Sequence, residues 1–152
     1  MFKGIMAVLV MGFLLSFSSC SDDEIVKAPK NEYVGEWVNE IDATNRNELT
    51  LTEDKFEFKA KEKHEVYRTW LAKFKVYGTL TSSFDDLFIV LTSIDVPNDS
   101  QTGYNKISAD DATWEATLTY LGFVESFAAK YSVTDNELML TVGGDSEVYQ
   151  MK

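Results

Sequence analysis

The side chains able to do chemistry are few, and their spacing sets most of them aside. His64 is the only histidine in the 152-residue chain, and Cys20 is the only cysteine. One imidazole and one thiol cannot assemble a zinc site of the common tetrahedral kinds. His64 sits in the charged stretch KEKHEVY, where an exposed turn residue is expected. A Ser-His-Asp triad would have to use it, yet no G-x-S-x-G turn presents a nucleophile. Glycine-rich phosphate loops and dinucleotide fingerprints are equally absent. Carboxylates pair at Asp85-Asp86 and Asp110-Asp111, with Asp95 and Asp99 between them in sequence. A glycosidase needs two carboxyls facing each other across a cleft, whereas neighbours on a strand point to opposite faces. Asp95, Asn98 and Asp99 offer oxygen ligands for calcium, but without the spacing of a twelve-residue calcium loop. These acids read as solvated turn residues. We therefore expect no catalytic residue, no metal site and no cofactor.

The elements that position the remaining side chains are strands. Alternation with period two dominates, and long helix-period segments are nearly absent. It predicts strands over Tyr33–Asn39, Asn47–Thr52 and Lys55–Lys61, with Glu53-Asp54 as a tight connection. A long strand, bent or bulged, follows over Val66–Leu80, with Trp70, Ala72, Phe74, Val76, Gly78 and Leu80 on one face. Asp86–Val96 is the most apolar strand, and Pro97 ends it. The polar segment 97–112 reads as the longest loop. Trp114, Ala116, Leu118 and Tyr120 alternate with polar residues as a further strand, although a short helix could replace part of 112–130. Phe127–Val133, Glu137–Val142 and Glu147–Met151 complete the set. Asp135 and Asn136 tolerate the positive φ that the hairpin between Thr134 and Glu137 demands. Sequential hairpins point to an up-and-down antiparallel meander, closed into a barrel of about eight strands or, alternatively, folded as a β-sandwich.

Cys20 has a different chemistry. Before it, Lys3 supplies a positive start, Ile5 to Leu15 form an apolar run broken only by Gly12, and Ser18 and Ser19 are small. The run is too short for a permanent membrane helix and has the layout of a secretory signal. Phe17-Ser18-Ser19-Cys20 resembles the bacterial lipobox. That resemblance implies diacylglycerol on the Cys20 sulfur, cleavage before it, and acylation of the new terminus. Each buried methylene contributes roughly 0.8 kcal/mol, so several acyl chains hold a protein stably on a membrane. Ser21-Asp22-Asp23-Glu24 resembles the acidic export signal of Bacteroidetes-type surface lipoproteins, which implies an outer-membrane, cell-surface address. The expected organisation is a signal peptide over 1–19, a lipidated cysteine with acidic tether over 20–32, and one β domain over 33–152. The whole chain carries 25 acidic and 14 basic residues, a formal charge of −11. Such a surface repels a phosphate backbone, so nucleic acid is not an expected partner.

Gly35-Glu36-Trp37 in the first strand matches the G-x-W motif that opens lipocalins. Together with NELTLTEDKFEFK and YSVTDNELMLTV, the chain over 33–152 resembles the lipocalin-like domains of small Bacteroidetes-type surface lipoproteins. The resemblance implies a closed barrel, Trp37 packed across one of its ends, and a non-enzymatic role. An eight-stranded barrel is just wide enough to be filled by side chains or to hold one small ligand. The many aromatics, with Phe56, Phe58, Phe127 and Tyr131 among them, argue for a filled core; Ala60, Ala72, Gly78, Ala116 and Ala129 leave space. On balance a filled or nearly filled interior is expected. Any small apolar or amphipathic ligand would sit in the barrel mouth against Trp37, Trp70, Phe74, Trp114 and Tyr120. The alternative is a packed scaffold whose loops, notably 97–112 with Tyr104, bind a partner protein or glycan assembly. No particular partner protein is indicated.

Overall fold

The computed structural model describes residues 31–100 and 102–152, so the expected signal segment and Cys20 lie outside the described residues. The chain forms β1 (Gly35–Glu40), β2 (Asn45–Leu51), β3 (Lys55–Lys63), β4 (Trp70–Ser83), β5 (Asp86–Pro97), β6 (Tyr104–Ser108), α1 (Trp114–Leu121), β7 (Ser126–Thr134), β8 (Glu137–Val142) and β9 (Asp145–Met151). All nine strands belong to one antiparallel sheet, and eight of them close a ring through the β4–β5 and β1–β9 pairings. The closed meander, not the sandwich, is the fold. Closure removes the free sheet edges that an open meander would expose to other chains.

Alternation builds the wall. Leu49, Leu51 and Phe56 face inward while polar residues alternate with them on the outer face, and Trp37, Val76, Ile94 and Leu138 are completely buried. Each such apolar side chain contributes about 1.5–3 kcal/mol relative to exposure. β5 is shared: Asp86–Val90 pair with β7, whereas Ser93–Pro97 turn away to pair with β6. The seam between β1 and β9 is the thinnest join, with only Trp37↔Met151 and Val38↔Gln150 in register.

Two irregularities re-aim side chains. In β4, Phe74 opposes Ala60 but Ala72 opposes Lys61, so Lys73 is an extra residue. A one-residue insertion flips everything beyond it to the other face. Trp70 and Ala72, expected to share a face with Phe74, therefore lie on the outer wall. In β5, Thr92 is extra opposite Tyr77-Gly78. A Cβ on Gly78 would lie 2.7 Å from the Val90 carbonyl oxygen. Only glycine lets the two backbones approach this closely.

The stretch 97–112 is not one loop, because β6 extends the sheet through its middle. The stretch from Trp114 is a helix rather than a strand. Its buried residues, Trp114 and Leu118, are one turn apart, a spacing that fits period 3.6 as well as period two. Gly122 ends it in the left-handed conformation (φ 78°), with its N–H turned back to the Leu118 and Thr119 carbonyls. The helix lies between β6 and β7, at the barrel end that also carries the β8–β9 hairpin. The other end holds the β2–β3, β4–β5 and β7–β8 turns. There Tyr33 is buried, packs edge-on against Tyr131 with ring centroids 5.2 Å apart, and donates its hydroxyl to Ser82 Oγ at 3.1 Å.

Candidate functional site

At the helix end the inward faces of β2, β3, β7, β8 and β9 do not meet. They leave a cavity of about 420 Å3, open on one side, beneath the turn Gly122-Phe123-Val124. The expected filled interior is thus corrected: a cavity opens at the helix end, whereas Tyr33 and Trp37 are buried at the other. The physical reason is α1. By leaving the ring after β5 and returning at β7, the chain lays a helix and turn over the barrel end where strand residues would otherwise pack inward.

The walls are mainly apolar. Phe56 and Phe127 meet edge to face at 6.0 Å, and Phe58 and Phe123 do so at 5.6 Å. Leu49, Leu140 and Val142 complete much of the surface. The polar groups are Asn47 from β2 and Asp145, Glu147 and Tyr149 from β9. The last three share one face of that strand, because they are spaced by two. Tyr149 is buried and donates its hydroxyl to Glu147 Oε2 at 2.5 Å. Burial, then the bond to Glu147, pushes the Tyr149 phenol well above its ordinary range, so it stays a neutral donor.

The five expected ligand contacts are dispersed by the fold. Trp37 is fully buried and donates its indole N–H to the Tyr33 carbonyl at 2.8 Å. Trp114 is buried at the start of α1, and its indole nitrogen meets no acceptor among the described residues. Trp70 lies outside the barrel, 4.3 Å under the Arg46 guanidinium. Tyr120 is on the solvent side of α1 and 88% exposed. Phe74 is half-buried and packs at 6.1 Å against Phe123, which borders the cavity. None of the five borders the cavity itself. Phe56, Phe58 and Phe127, placed on inward faces by alternation, do border it. Leu140 and Tyr149 were within reach of the same parity argument; Phe123 was not, because no periodicity places a turn residue.

Four of the acids that might have done chemistry are otherwise engaged. Asp85 and Asp86 both pair with Lys130 at 3.4 Å. Asp95 accepts the Tyr77 hydroxyl at 3.1 Å, and Asp111 accepts the backbone N–H of Thr113 at 2.8 Å before α1. His64 is half-buried at a turn, where Nδ1 accepts the Val66 and Tyr67 N–H groups. On the outer wall Glu48 is buried among cations: it bonds Arg46, pairs with Lys61 at 2.8 Å and with Lys152 at 3.6 Å.

Fold and site together define a closed up-and-down antiparallel barrel with an apolar cavity at one end, the architecture that the G-x-W resemblance implies. No family model and no curated protein matches the chain. Among solved structures, it is similar to a lipocalin-like protein from Bacteroides uniformis, at 12% identity and a TM-score of 0.45, over 80% of this chain and 99% of that one.

Proposed function

We propose that this protein is a non-enzymatic, lipid-anchored carrier that holds a small apolar or amphipathic molecule in its barrel mouth. The cavity is the observation that carries the reading. Its volume of about 420 Å3, aromatic and aliphatic walls and few polar groups match the make-up of small-molecule sites. Ligand surface buried there is stabilised by roughly 25 cal/mol per Å2.

Anchoring through Cys20 on the outer face of the outer membrane rests on the signal layout, the lipobox resemblance and the acidic run behind it. One structural relationship supports a carrier used in that setting. The chain enters the barrel at Tyr33, beside Ser82 and Tyr131, at the end opposite the cavity. An anchor upstream of Tyr33 would hold the mouth towards the surroundings, away from the bilayer. The rival scaffold reading relies on residues 97–112 as a free binding loop. Tyr104 counts against it, since its hydroxyl bonds the Ala72 carbonyl at 3.1 Å and Lys75 lies 4.3 Å over its ring.

Native mass spectrometry of the protein recovered from its own type of cell tests the proposal. A discrete added mass, lost on denaturation and lost in Leu140→Trp, is the expected result. A bare mass that persists after incubation with extracted lipids and small apolar metabolites would overturn it.

A further inference from the structure

We infer that the cavity selects amphiphiles with a cationic head, an ammonium on an apolar body, over anionic ones such as fatty acids. The inference rests on the carrier reading and adds the charge of the ligand to it. Asp145 and Glu147 project from one face of β9 at the rim, and no Lys, Arg or His among the described residues borders the cavity. Neither carboxylate has an ion-pair partner among the described residues, in contrast to Glu48, Asp85 and Asp86. Glu147 takes the Tyr149 hydroxyl as a donor on one oxygen, which leaves its other oxygen available to a ligand.

Below the rim lie the rings of Phe56, Phe58, Phe123 and Phe127. Aromatic faces attract ammonium groups, and apolar walls take the body of the ligand. A carboxylate or phosphate head would meet two like charges and no donor cation, the kind of mismatch by which sites reject wrong partners. The overall charge of −11 biases encounter in the same direction.

The test uses three probes with one shared dodecyl chain: dodecylamine, dodecanol and dodecanoate. Each is titrated calorimetrically, below its micelle concentration, into the intact protein at neutral pH. Dodecylamine is expected to bind at least tenfold more tightly than dodecanoate, with dodecanol between. Asp145→Asn/Glu147→Gln should abolish the preference of dodecylamine over dodecanoate. Asp135→Asn/Glu137→Gln, which removes the same charge at the opposite barrel end, should keep it. Equal or tighter binding of dodecanoate overturns the inference while the carrier reading stands. So does an equal loss of preference in both double variants, which marks diffuse surface adsorption. Should the rim double variant lose dodecanol as well, the single variants Asp145→Asn and Glu147→Gln decide: an unchanged preference in both sinks the idea. Failure of all three probes to bind removes this inference and counts against the carrier reading too.

Discussion

The indole N–H of Trp37 donates to the backbone carbonyl of Tyr33 at 2.8 Å, four residues back along the chain. This bond joins the first strand to the residue by which the chain enters the barrel. Tyr33 in turn reaches Ser82 and Tyr131, so the closed end is knit from three separate parts of the sequence. Trp37→Phe removes the donor, leaves a buried carbonyl unpaired and opens space beside it. We expect a loss of about 2–3 kcal/mol, read from urea unfolding, given the usual cost of an unsatisfied buried group. A loss near zero would show that the bond does not matter to this end.

Gly78 is required by contact rather than by turn geometry. Its missing Cβ would sit 2.7 Å from the Val90 carbonyl oxygen, a backbone atom that cannot swing aside. Gly78→Ala should cost about 2 kcal/mol or more, as overpacking in a rigid site does. Thermal unfolding of this variant beside the parent measures it.

Glu48 holds Arg46, Lys61 and Lys152 together on the outer wall. Burial pushes its carboxyl upward, but Lys61, Arg46 and Lys152 outweigh that and hold it below the usual carboxylate range. A lowered folded pKa gives stability that is present above the unfolded value and lost as pH falls through the folded one. Glu48→Gln should therefore cost about 2 kcal/mol at pH 7, less than the roughly 3–5 of a fully buried broken pair. The difference from the parent should shrink in acid, which chemical denaturation across pH would reveal.

Tyr77 responds at the alkaline end. Burial, then its bond to Asp95, pushes the phenol up to about 12. A raised folded pKa gives stability that is complete below the unfolded value, near 10, and disappears as pH rises towards 12. Tyr77→Phe should flatten the fall in stability over that window, and ultraviolet titration should lose one late-ionising tyrosine.

Trp70 gives the sharpest contrast between an inner and an outer aromatic. It stacks under Arg46 with Lys63 at 5.7 Å, outside the barrel. Trp70→Ala should cost about 0.5–1 kcal/mol, the scale of an exposed cation–π contact, and leave any ligand affinity unchanged. Phe58→Ala, in the cavity wall, should alter that affinity. Titration of both variants with one apolar probe distinguishes the two placements.

Period-two alternation made most of the barrel legible. It placed β2, β3, β5, β7 and β8 to within a few residues, because one face of each strand must be apolar to be buried. Phe56, Phe58 and Phe127 could be assigned inward for the same reason. Alternation could not separate a strand from a helix at Trp114 and Leu118, whose spacing satisfies both periods over a segment this short. It let the long strand be read as bent or bulged but could not place the bulge at Lys73, since a bulge leaves no mark in the hydrophobic pattern on either side of it. That single residue moved Trp70 from the inner face to the outer wall.

From the sequence alone came the strand-rich class, the acidic balance, the shortage of catalytic side chains and the expectation of an anchor at Cys20. These follow from composition and local pattern, which need no knowledge of what packs on what. Barrel closure, the position of the cavity and the meeting of Asn47 with Tyr149 and Phe123 at its edge were decided by the tertiary structure. They depend on register, on two inserted residues and on where α1 lies. Each of those is set by contacts between segments far apart in sequence, and no local pattern encodes them.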